Sequence, residues 1–526
     1  MKAYKTVIFI LSVLLGLALI SVFFPKEGIN LGGTKIEFPS LEEALAVDTN
    51  LFKTTEELAM EEKMAQLHDA KDKEFREFCA SSPNRIYCPG NDITYLDGLF
   101  EQMDTARVKH VRIIHLGDSQ LEGDRMTSTL RERFQTTFGG HGVGMIPAQQ
   151  PVGTYTLSQS ISPASIKRVC AYGPADWHGN HHRYGVMASM TRIEGSATIT
   201  VKANGNEKFP HSQKFKKITV YGKGSGSVSA KVGEEKYSLK PDTEKSDVTR
   251  FFTVSLPNYA SHATISISGS MDVYGIMLDD DKGISIDNVP MRGASGTFFN
   301  SIDANTIEPF FKHENVGLII LQYGGNSTPY LKTEKAIENY KQNMKKQIAL
   351  FRKMSPNSKI LFIGPADMAT RIGGVKQSYP MMPAITKALR EAANEEGAAY
   401  WDMFSVMGGM NSMVKWADEE QPPLAGKDYI HFTQLGAQKM TDYLFETLHM
   451  YYKFYRFRIG KEIVETADTT KTKAPADSTA VKKDKKDKKD KKDKKGKKKK
   501  DEADEKKDNA KDGKKDADTG KVQTYK

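Results

Sequence analysis

The sequence predicts an α/β protein with a parallel sheet, an all-β insertion, an apolar N-terminus and a charged tail. Three observations support this. Apolar, β-branched runs recur between turns, and amphipathic helical stretches separate the later ones. Short segments of alternating apolar and polar residues fill 155–283. Segment 7–24 holds no charged residue, whereas Lys and Asp dominate the C-terminus.

The first 25 residues predict a signal anchor. Eighteen uncharged, apolar residues from Val7 to Phe24 are long enough to span a bilayer and lack an Ala-x-Ala cleavage signal, which favours an uncleaved anchor over a signal peptide. Lys2 and Lys5 precede them, and the positive-inside rule sends the body across the membrane. We therefore expect an exported cell-envelope protein, anchored in the inner membrane with its body in the periplasm or outside.

Residues 26–105 are predicted to form a linker and a helical stalk. Within them, 54–79 is rich in charge and has sparse apolar positions at helical spacing. Cys79 and Cys88 flank a short loop and could close a disulfide in an oxidising compartment, which would leave Cys170 unpaired. Three unrelated buried thiols are the alternative.

The α/β domain is expected in two parts, 106–154 and 284–460. Runs that are apolar on both faces and alternate with helices indicate a parallel sheet covered on both sides. The expected strands are 111–116, 286–289, 317–323, 359–364 and 398–404. The expected helices are 125–134, 333–354 and 380–396.

Between the two parts, residues 155–283 predict an inserted β-sandwich. Segments such as ATITVKA, KITVYGK and ATISISG alternate between apolar and polar residues and are divided by Gly, Ser, Asn and Pro. The insertion could bind carbohydrate, cover the site as a lid, or dock a partner.

The tail, 461–526, is predicted to be disordered because it has almost no residues that could form a core. From Asp468 onward it holds 23 Lys against 14 acidic residues, which accounts for nearly all of the net charge of +10. The near-neutral body gives no reason to expect specific nucleic-acid binding. The tail could attract an anionic envelope polymer or lipid, or could simply be solvated.

Two short motifs provide the groups for acyl transfer. Ser119 follows an apolar run at the turn Gly117-Asp118-Ser119, and Asp428 and His431 lie three positions apart ahead of a helix. A serine hydroxyl is a weak nucleophile until an imidazole removes its proton, and a carboxylate must hold that imidazole. The tripeptide alone is a common turn composition.

Two further turns offer donors for a developing oxyanion. Gly296 lies in the turn after 286–289 and can expose its backbone N–H, and Asn326 follows 317–323 and can offer its side-chain amide. Both turns follow predicted strands, and the carboxyl ends of parallel strands gather at one edge of a sheet.

The ordered motifs GDSQ, GASGT, GGNS and DYIHF resemble those of the SGNH, or GDSL-type, hydrolases. This resemblance implies a flavodoxin-like, three-layer α/β/α fold, with Ser119, Asp428 and His431 as the catalytic triad. It implies an oxyanion hole formed by the N–H groups of Ser119 and Gly296 and by Asn326, and no cofactor or metal. The motifs depart from the family in two places, at Gln120, where GDSL has Leu, and at Ser327, where GxND has Asp.

The position of the insertion is similar to the layout of bacterial peptidoglycan O-acetylesterases. The first hypothesis is therefore a serine esterase that removes acetyl or other small acyl groups from a cell-envelope glycan. The second is an O-acetyltransferase that passes the acyl group to a glycan hydroxyl, and the third is a glycan-binding protein without catalysis.

Two other places attract attention. His178, His181 and His182 cluster in WHGNHH, where a transition metal is a weaker interpretation than glycan contact or local packing. Asp367, after the strand at 359–364, could line the pocket or cap a helix.

Overall fold

The computed structural model describes residues 3–25, 28–31, 34–40, 54–174 and 177–461. The predicted disordered tail from 462 onward, and the part of the predicted linker at 41–53, lie outside the described residues.

The described residues form ten α-helices and twenty-one strands. Helices α1 to α10 are, in chain order, Ala3–Phe23, Thr55–Ser81, Asp97–Asp104, Thr127–Phe138, Ala304–His313, Glu334–Met354, Met382–Glu395, Met403–Met407, Ser412–Asp418 and Gln434–Arg458. Strands β1 to β21 are Ile29–Leu31, Thr34–Ile36, Ile86–Tyr87, His110–Gly117, Gly144–Ile146, Leu157–Ser162, Arg168–Cys170, Ser189–Ile193, Ser196–Ala203, Phe215–Gly224, Ser227–Val232, Glu235–Pro241, Thr249–Ala260, His262–Ser268, Met271–Asp279, Gly283–Pro290, Val316–Gln322, Lys359–Ile363, Ala369–Ile372, Val375–Ser378 and Ala399–Trp401.

A six-stranded sheet forms the centre of the α/β part, in the order β16-β4-β17-β18-β21-β3. The first five strands are parallel, and only the two-residue edge strand β3 is antiparallel. Numbered along the chain, the parallel strands have the order 2-1-3-4-5, which is that of flavodoxin-like folds. All five parallel strands fall on apolar runs predicted from the sequence.

Successive side chains of a strand point to opposite sides of the sheet, and in these strands the side chains on both sides are apolar and buried. On β4, Val111 and Ile113 belong to a core shared with α3, α4 and α10, whereas Ile114 and Leu116 belong to one shared with α5, α6 and α7. The three layers follow from this alternation.

The β-rich region begins earlier than expected and differs from a sandwich of two separate sheets. Its first strand is β5, which starts at Gly144 and pairs with β15, although three residues without alternation gave no signal for a strand. Eleven strands form one continuous sheet, in which β12 and β13 join the two halves. Apolar residues from both halves meet in one core, including Ile199, Val220, Ile265 and Ile276.

A buried ionic cluster connects this β-rich sheet to the central sheet. Arg112 on β4 is 1% exposed and is bonded to three carboxylates. Its Nη1 donates to Asp287 at 2.6 Å, its Nε donates to Glu314 at 2.9 Å, and its Nη2 donates to Asp279 at the end of β15. Asp279 is the first residue of the Asp279-Asp280-Asp281 turn, and its burial gives this turn a packing role.

The N-terminal part includes an exposed apolar helix. Among the described residues, one helix, over Tyr4–Phe23, is long and apolar enough to cross a membrane. In the predicted stalk, helix α2 packs its C-terminal half on α10 through Phe75, which stacks on Phe454. Strand β3 and helix α3 also belong to the α/β part, which therefore begins about twenty residues before position 106. Cys79, Cys88 and Cys170 are all buried free thiols.

Candidate active site

Ser119 lies at a tight turn directly after strand β4. A Cβ atom at Gly117 would lie 2.8 Å from the Leu121 side chain and 3.0 Å from the Gln322 carbonyl oxygen, so this turn requires glycine. Asp118 then accepts a hydrogen bond from the Gln120 N–H at 3.0 Å. The nucleophile candidate is therefore held at the carboxyl edge of the sheet, where ligands bind in such folds.

Asp428 and His431 lie in a loop in which the Asp428 carboxylate accepts hydrogen bonds from the backbone that follows it. Asp428 Oδ1 accepts from the N–H groups of Ile430 and His431, at 3.0 and 3.1 Å, and Oδ2 lies 2.8 Å from His431 Nδ1. Burial opposes ionisation of Asp428, but these hydrogen bonds outweigh it and leave its pKa below the ordinary value. The ionised carboxylate favours the imidazole tautomer with its proton on Nδ1.

The structure brings the three predicted residues together across 312 positions of sequence. Ser119 Oγ lies 2.7 Å from His431 Nε2, the nitrogen that the Asp428 contact leaves free to accept a proton. This is the geometry by which an imidazole activates a serine. Their catalytic role stays a prediction.

Of the two predicted oxyanion residues, Asn326 lies at the Ser119 pocket, and Gly296 lies against Tyr323, which lines that pocket. Asn326 lines the same pocket as Ser119, and its Nδ2 donates to the Ala294 carbonyl oxygen at 3.2 Å. Gly296 has a φ of +79°, and a Cβ atom there would lie 2.6 Å from the Tyr323 ring. Asn326 thus holds the Gly296 loop through Ala294, and only glycine fits the loop at that position.

A pocket of about 210 Å³ opens beside Ser119 and His431. Its apolar wall comes from loops that follow β17, β18 and β21. Tyr330, at its rim, is 79% exposed. The lining residues are Asp118, Ser119, Gln120, Gln322, Tyr323, Gly325, Asn326, Pro329, Tyr330, Pro365, Ala366, Met368, Met403, Ile430 and His431.

Asp118 contributes a carboxyl group to the wall of this pocket. Its burial raises its pKa to about 6, against the opposing effects of the Gln120 N–H and the nearby His431 and Arg125. The group therefore changes its charge at mildly acidic pH, at the position next to the nucleophile.

Gln120 has contacts in the site that its sequence motif alone did not predict. Its Nε2 donates to the Ile430 carbonyl oxygen at 2.6 Å, and its Oε1 accepts from the Phe432 N–H at 3.3 Å. The two bonds hold the backbone on both sides of His431. The signal was present in the sequence, because GDSQ has a polar residue where GDSL has an apolar one.

We expect Gln120→Leu to lower kcat for acetyl ester hydrolysis by about 10- to 100-fold with little change in KM, since small misplacements of catalytic groups have costs of this order. Steady-state kinetics on a small acetyl ester measures this split. Gln135→Leu is the matched control, because Gln135 is also buried and bonded to backbone carbonyls, those of Gly142 and Ile284. Equal losses of kcat in the two variants would contradict a positioning role.

A hairpin formed by β19 and β20 supports the same loop. The Ala369 N–H donates to the Tyr429 carbonyl oxygen at 3.1 Å, and Lys376 donates to the Tyr429 hydroxyl and, at 3.3 Å, to Asp418. Tyr429 has a φ of +57°, a conformation that non-glycine residues adopt only when their surroundings hold them there. The hairpin provides such surroundings.

Asp367 proves to be fully buried rather than a pocket wall. Its Oδ2 accepts from the Ser378 hydroxyl at 2.8 Å and from the Met413 N–H, in the first turn of α9, at 2.9 Å. Burial raises its pKa. Of the two expectations for this residue, contact with a helix start is the one observed.

The histidines of the WHGNHH segment make local contacts. His178 lies 3.1 Å from the Gly173 carbonyl oxygen, and His181 accepts from the Arg183 N–H and packs on the Tyr184 ring. These contacts are those of local packing, one of the two interpretations preferred to a metal site.

Comparison with solved structures supports the fold. A structure described as a peptidoglycan O-acetylesterase in action matches with a TM-score of 0.57 and 18% identity, over 71% of this chain and all of that one. A family two carbohydrate esterase from Cellvibrio japonicus (TM-score 0.23, 10% identity, 56% of this chain and 98% of that one) and a GDSL-like lipase from Parabacteroides merdae (0.26, 17%, 32% and 74%) match more weakly. The first match shows that this chain resembles, at the level of the fold, a structure described as a peptidoglycan O-acetylesterase.

No protein-family model matches the sequence, and no curated protein matches it either.

Proposed function

We propose that this protein is a serine esterase that removes acetyl or similarly small acyl groups from a cell-envelope carbohydrate. The observation that carries the proposal is the hydrogen-bonded series Asp428, His431 and Ser119, which opens into a small pocket. The fold shared with a structure described as a peptidoglycan O-acetylesterase supports the same activity.

In the proposed mechanism, His431 Nε2 takes the Ser119 proton while Ser119 Oγ attacks the ester carbonyl carbon. The N–H groups of Ser119 and Gly296 and the amide of Asn326 bind the negative oxygen of the tetrahedral intermediate. The intermediate then collapses with cleavage of the bond between the acyl carbon and the sugar oxygen, and the His431 imidazolium gives its proton to that oxygen, which leaves as a hydroxyl. A water molecule, deprotonated by the same imidazole, attacks the acyl-enzyme and releases the acid.

The pocket supports a small acyl group. Its volume of about 210 Å³ lies below the ~300–1,000 Å³ of typical small-molecule pockets, which fits a small acyl group. Pro365, Ala366, Met368 and Met403 line it with apolar atoms suited to a methyl group.

We further propose that α1 anchors the body outside the cytoplasm. The large side chains of α1 are exposed and apolar, for example Ile8, Leu11 and Leu15, and such a helix requires a nonpolar environment. Lys5, beside its N-terminus, favours retention of that end in the cytoplasm. The substrate would then be a glycan outside the inner membrane.

The test combines labelling with product analysis on the full chain in detergent. We expect a fluorophosphonate to modify Ser119, shown by peptide mass mapping, and O-acetylated peptidoglycan to slow the labelling. We also expect acetate release from that glycan. Absence of the label from Ser119 would contradict the mechanism, and acetyl transfer to an added oligosaccharide that outpaces acetate release would favour the O-acetyltransferase.

A further inference from the structure

Asp118 is an acidic residue next to the nucleophile, and the mechanism described above gives it no task. Its carboxyl group is 6% exposed and lines the same pocket as Ser119 and His431. The Gln120 N–H donates to Oδ1 at 3.0 Å, which fixes the carboxyl group in the wall of the pocket. A buried carboxyl group at a reaction site is a candidate for tuning the chemistry there.

The other oxygen of Asp118, Oδ2, faces the turn that follows β17. A Cβ atom at Gly325 would lie 3.3 Å from Oδ2, so the oxygen packs against the backbone beside Asn326. Among the described residues, Asp118 forms no ion pair with a lysine, arginine or histidine. Buried carboxylates are usually paired, so the charge of an ionised Asp118 is left to act on its surroundings.

Four titratable or charged side chains influence Asp118, each from a different element. They are His431 from the loop before α10, Arg125 from the segment before α4, Tyr323 from the turn after β17 and Tyr340 from α6. Of the two bases, His431 has the larger effect. Burial holds the pKa values of both tyrosines above their ordinary range, so they stay neutral, and an arginine stays cationic. In this set, only His431 changes its charge during the proposed reaction.

The charge of Asp118 depends on pH in the range where esterases are assayed. Burial raises the pKa of Asp118 to about 6, although the Gln120 N–H and His431 oppose the rise. The group is therefore an anion at neutral pH and a neutral acid at pH 5. When His431 takes the Ser119 proton it becomes a cation, and an anion nearby favours that change whereas a neutral acid does not.

We propose that ionised Asp118 stabilises the imidazolium that His431 becomes while Ser119 attacks the ester. Asp428 orients the same imidazole by contact at Nδ1, and Asp118 acts on it through charge. The inference rests on the proposed esterase function and adds a control to that site. Protonation of Asp118 removes the stabilisation, so acidification slows the reaction through this residue as well as through His431.

The test compares pH profiles of the full chain in detergent. The variant Asp118→Asn removes the charge and keeps an oxygen that can accept from the Gln120 N–H. The probe is 4-nitrophenyl acetate, with the rate of Ser119→Ala subtracted. We expect kcat/KM of the parent to exceed that of the variant by about 10-fold at pH 8 and to approach it at pH 5, where Asp118 is neutral in both. Asp118→Ser, a second neutral variant with an acceptor oxygen, should give the same dependence.

Unfolding by urea separates this role from a merely structural one. A carboxyl group whose folded-state pKa exceeds its unfolded value destabilises the fold above the folded-state pKa and not below the unfolded value. The urea midpoint of Asp118→Asn relative to the parent should therefore rise between pH 4 and pH 8, while its relative activity falls. A carboxylate that only held the turn together would lose stability and activity together at pH 8.

Asp367→Asn is the matched control. Asp367 is also buried with a raised pKa, but it is bonded to Ser378 and to the Met413 N–H instead of lining the pocket. Its activity relative to the parent should be the same at pH 5 and pH 8.

Two results would overturn the inference and leave the esterase intact. One is a ratio between the parent and Asp118→Asn that does not change with pH. The other is a variant that is faster than the parent at pH 8, because the charge of Asp118 would then act mainly against the oxyanion at Asn326. Failure of the unmodified protein to hydrolyse either 4-nitrophenyl acetate or O-acetylated peptidoglycan would instead contradict the proposed function.

Discussion

Replacement of Ser119 by alanine is expected to lower kcat for acetyl ester hydrolysis by about 10⁴- to 10⁶-fold with little effect on substrate binding. Without Oγ, His431 Nε2 has no hydroxyl to deprotonate and no acyl-enzyme can form. Steady-state kinetics and the absence of fluorophosphonate labelling measure the loss. Thermal unfolding should be nearly unchanged, because the removed atom lies at a pocket.

Two further variants sharpen this expectation. His431→Ala should cause a loss of similar size, and the double variant should lose little more, because nucleophile and base act as one unit. Ser301→Ala is the control, since Ser301 is exposed and its hydroxyl is bonded only to the local Phe298 carbonyl oxygen. Retention of more than a hundredth of the activity in Ser119→Ala would refute the assignment.

The largest effect on stability is expected from Arg112→Met. It would leave Asp279, Asp287 and Glu314 buried without their cation, and breaking a buried ion pair from one side costs about 3–5 kcal/mol of the free energy of unfolding. Urea denaturation measures the difference. The control Arg133→Met, which removes a partly exposed pair with Asp442, should cost no more than about 1 kcal/mol.

The loss of unfolding free energy in Arg112→Met should become smaller as pH falls. Burial already raises the pKa of Asp287 to about 6 although Arg112 opposes the rise, and loss of Arg112 removes that opposition. A carboxyl whose folded-state pKa exceeds its unfolded value destabilises the fold above that pKa and not below its unfolded value. Arg112→Met should therefore approach the parent protein as pH falls from 7 toward 4. An equal deficit at both pH values would contradict the electrostatic explanation.

The central sheet was predictable because its strands are apolar on both faces, a pattern that residues 111–116 and 317–323 display without reference to any partner. The residues of the candidate site could be singled out because each follows such a run or lies in a short motif. Ser119 and His431 could thus be matched although 312 positions separate them.

Other features depend on contacts with residues far away in the sequence, which no local sequence pattern predicts. Gln120 is one polar residue in a turn, and its role exists only where the Ile430 carbonyl oxygen and the Phe432 N–H face it. Arg112 lies inside an apolar strand, and its burial follows from carboxylates far along the chain. Strand β5 has three residues, too few for alternation to register, and only its pairing with β15 makes it a strand.

The long separation between Ser119 and His431 has a consequence for biosynthesis. The hydroxyl leaves the ribosome early, but its base follows only after the β-rich region and four further strands of the central sheet have been translated. A nascent or truncated chain that ends before His431 therefore carries an inert serine. Under the proposed mechanism, hydrolysis therefore requires synthesis of the chain at least through His431, which follows all the strands of the described residues.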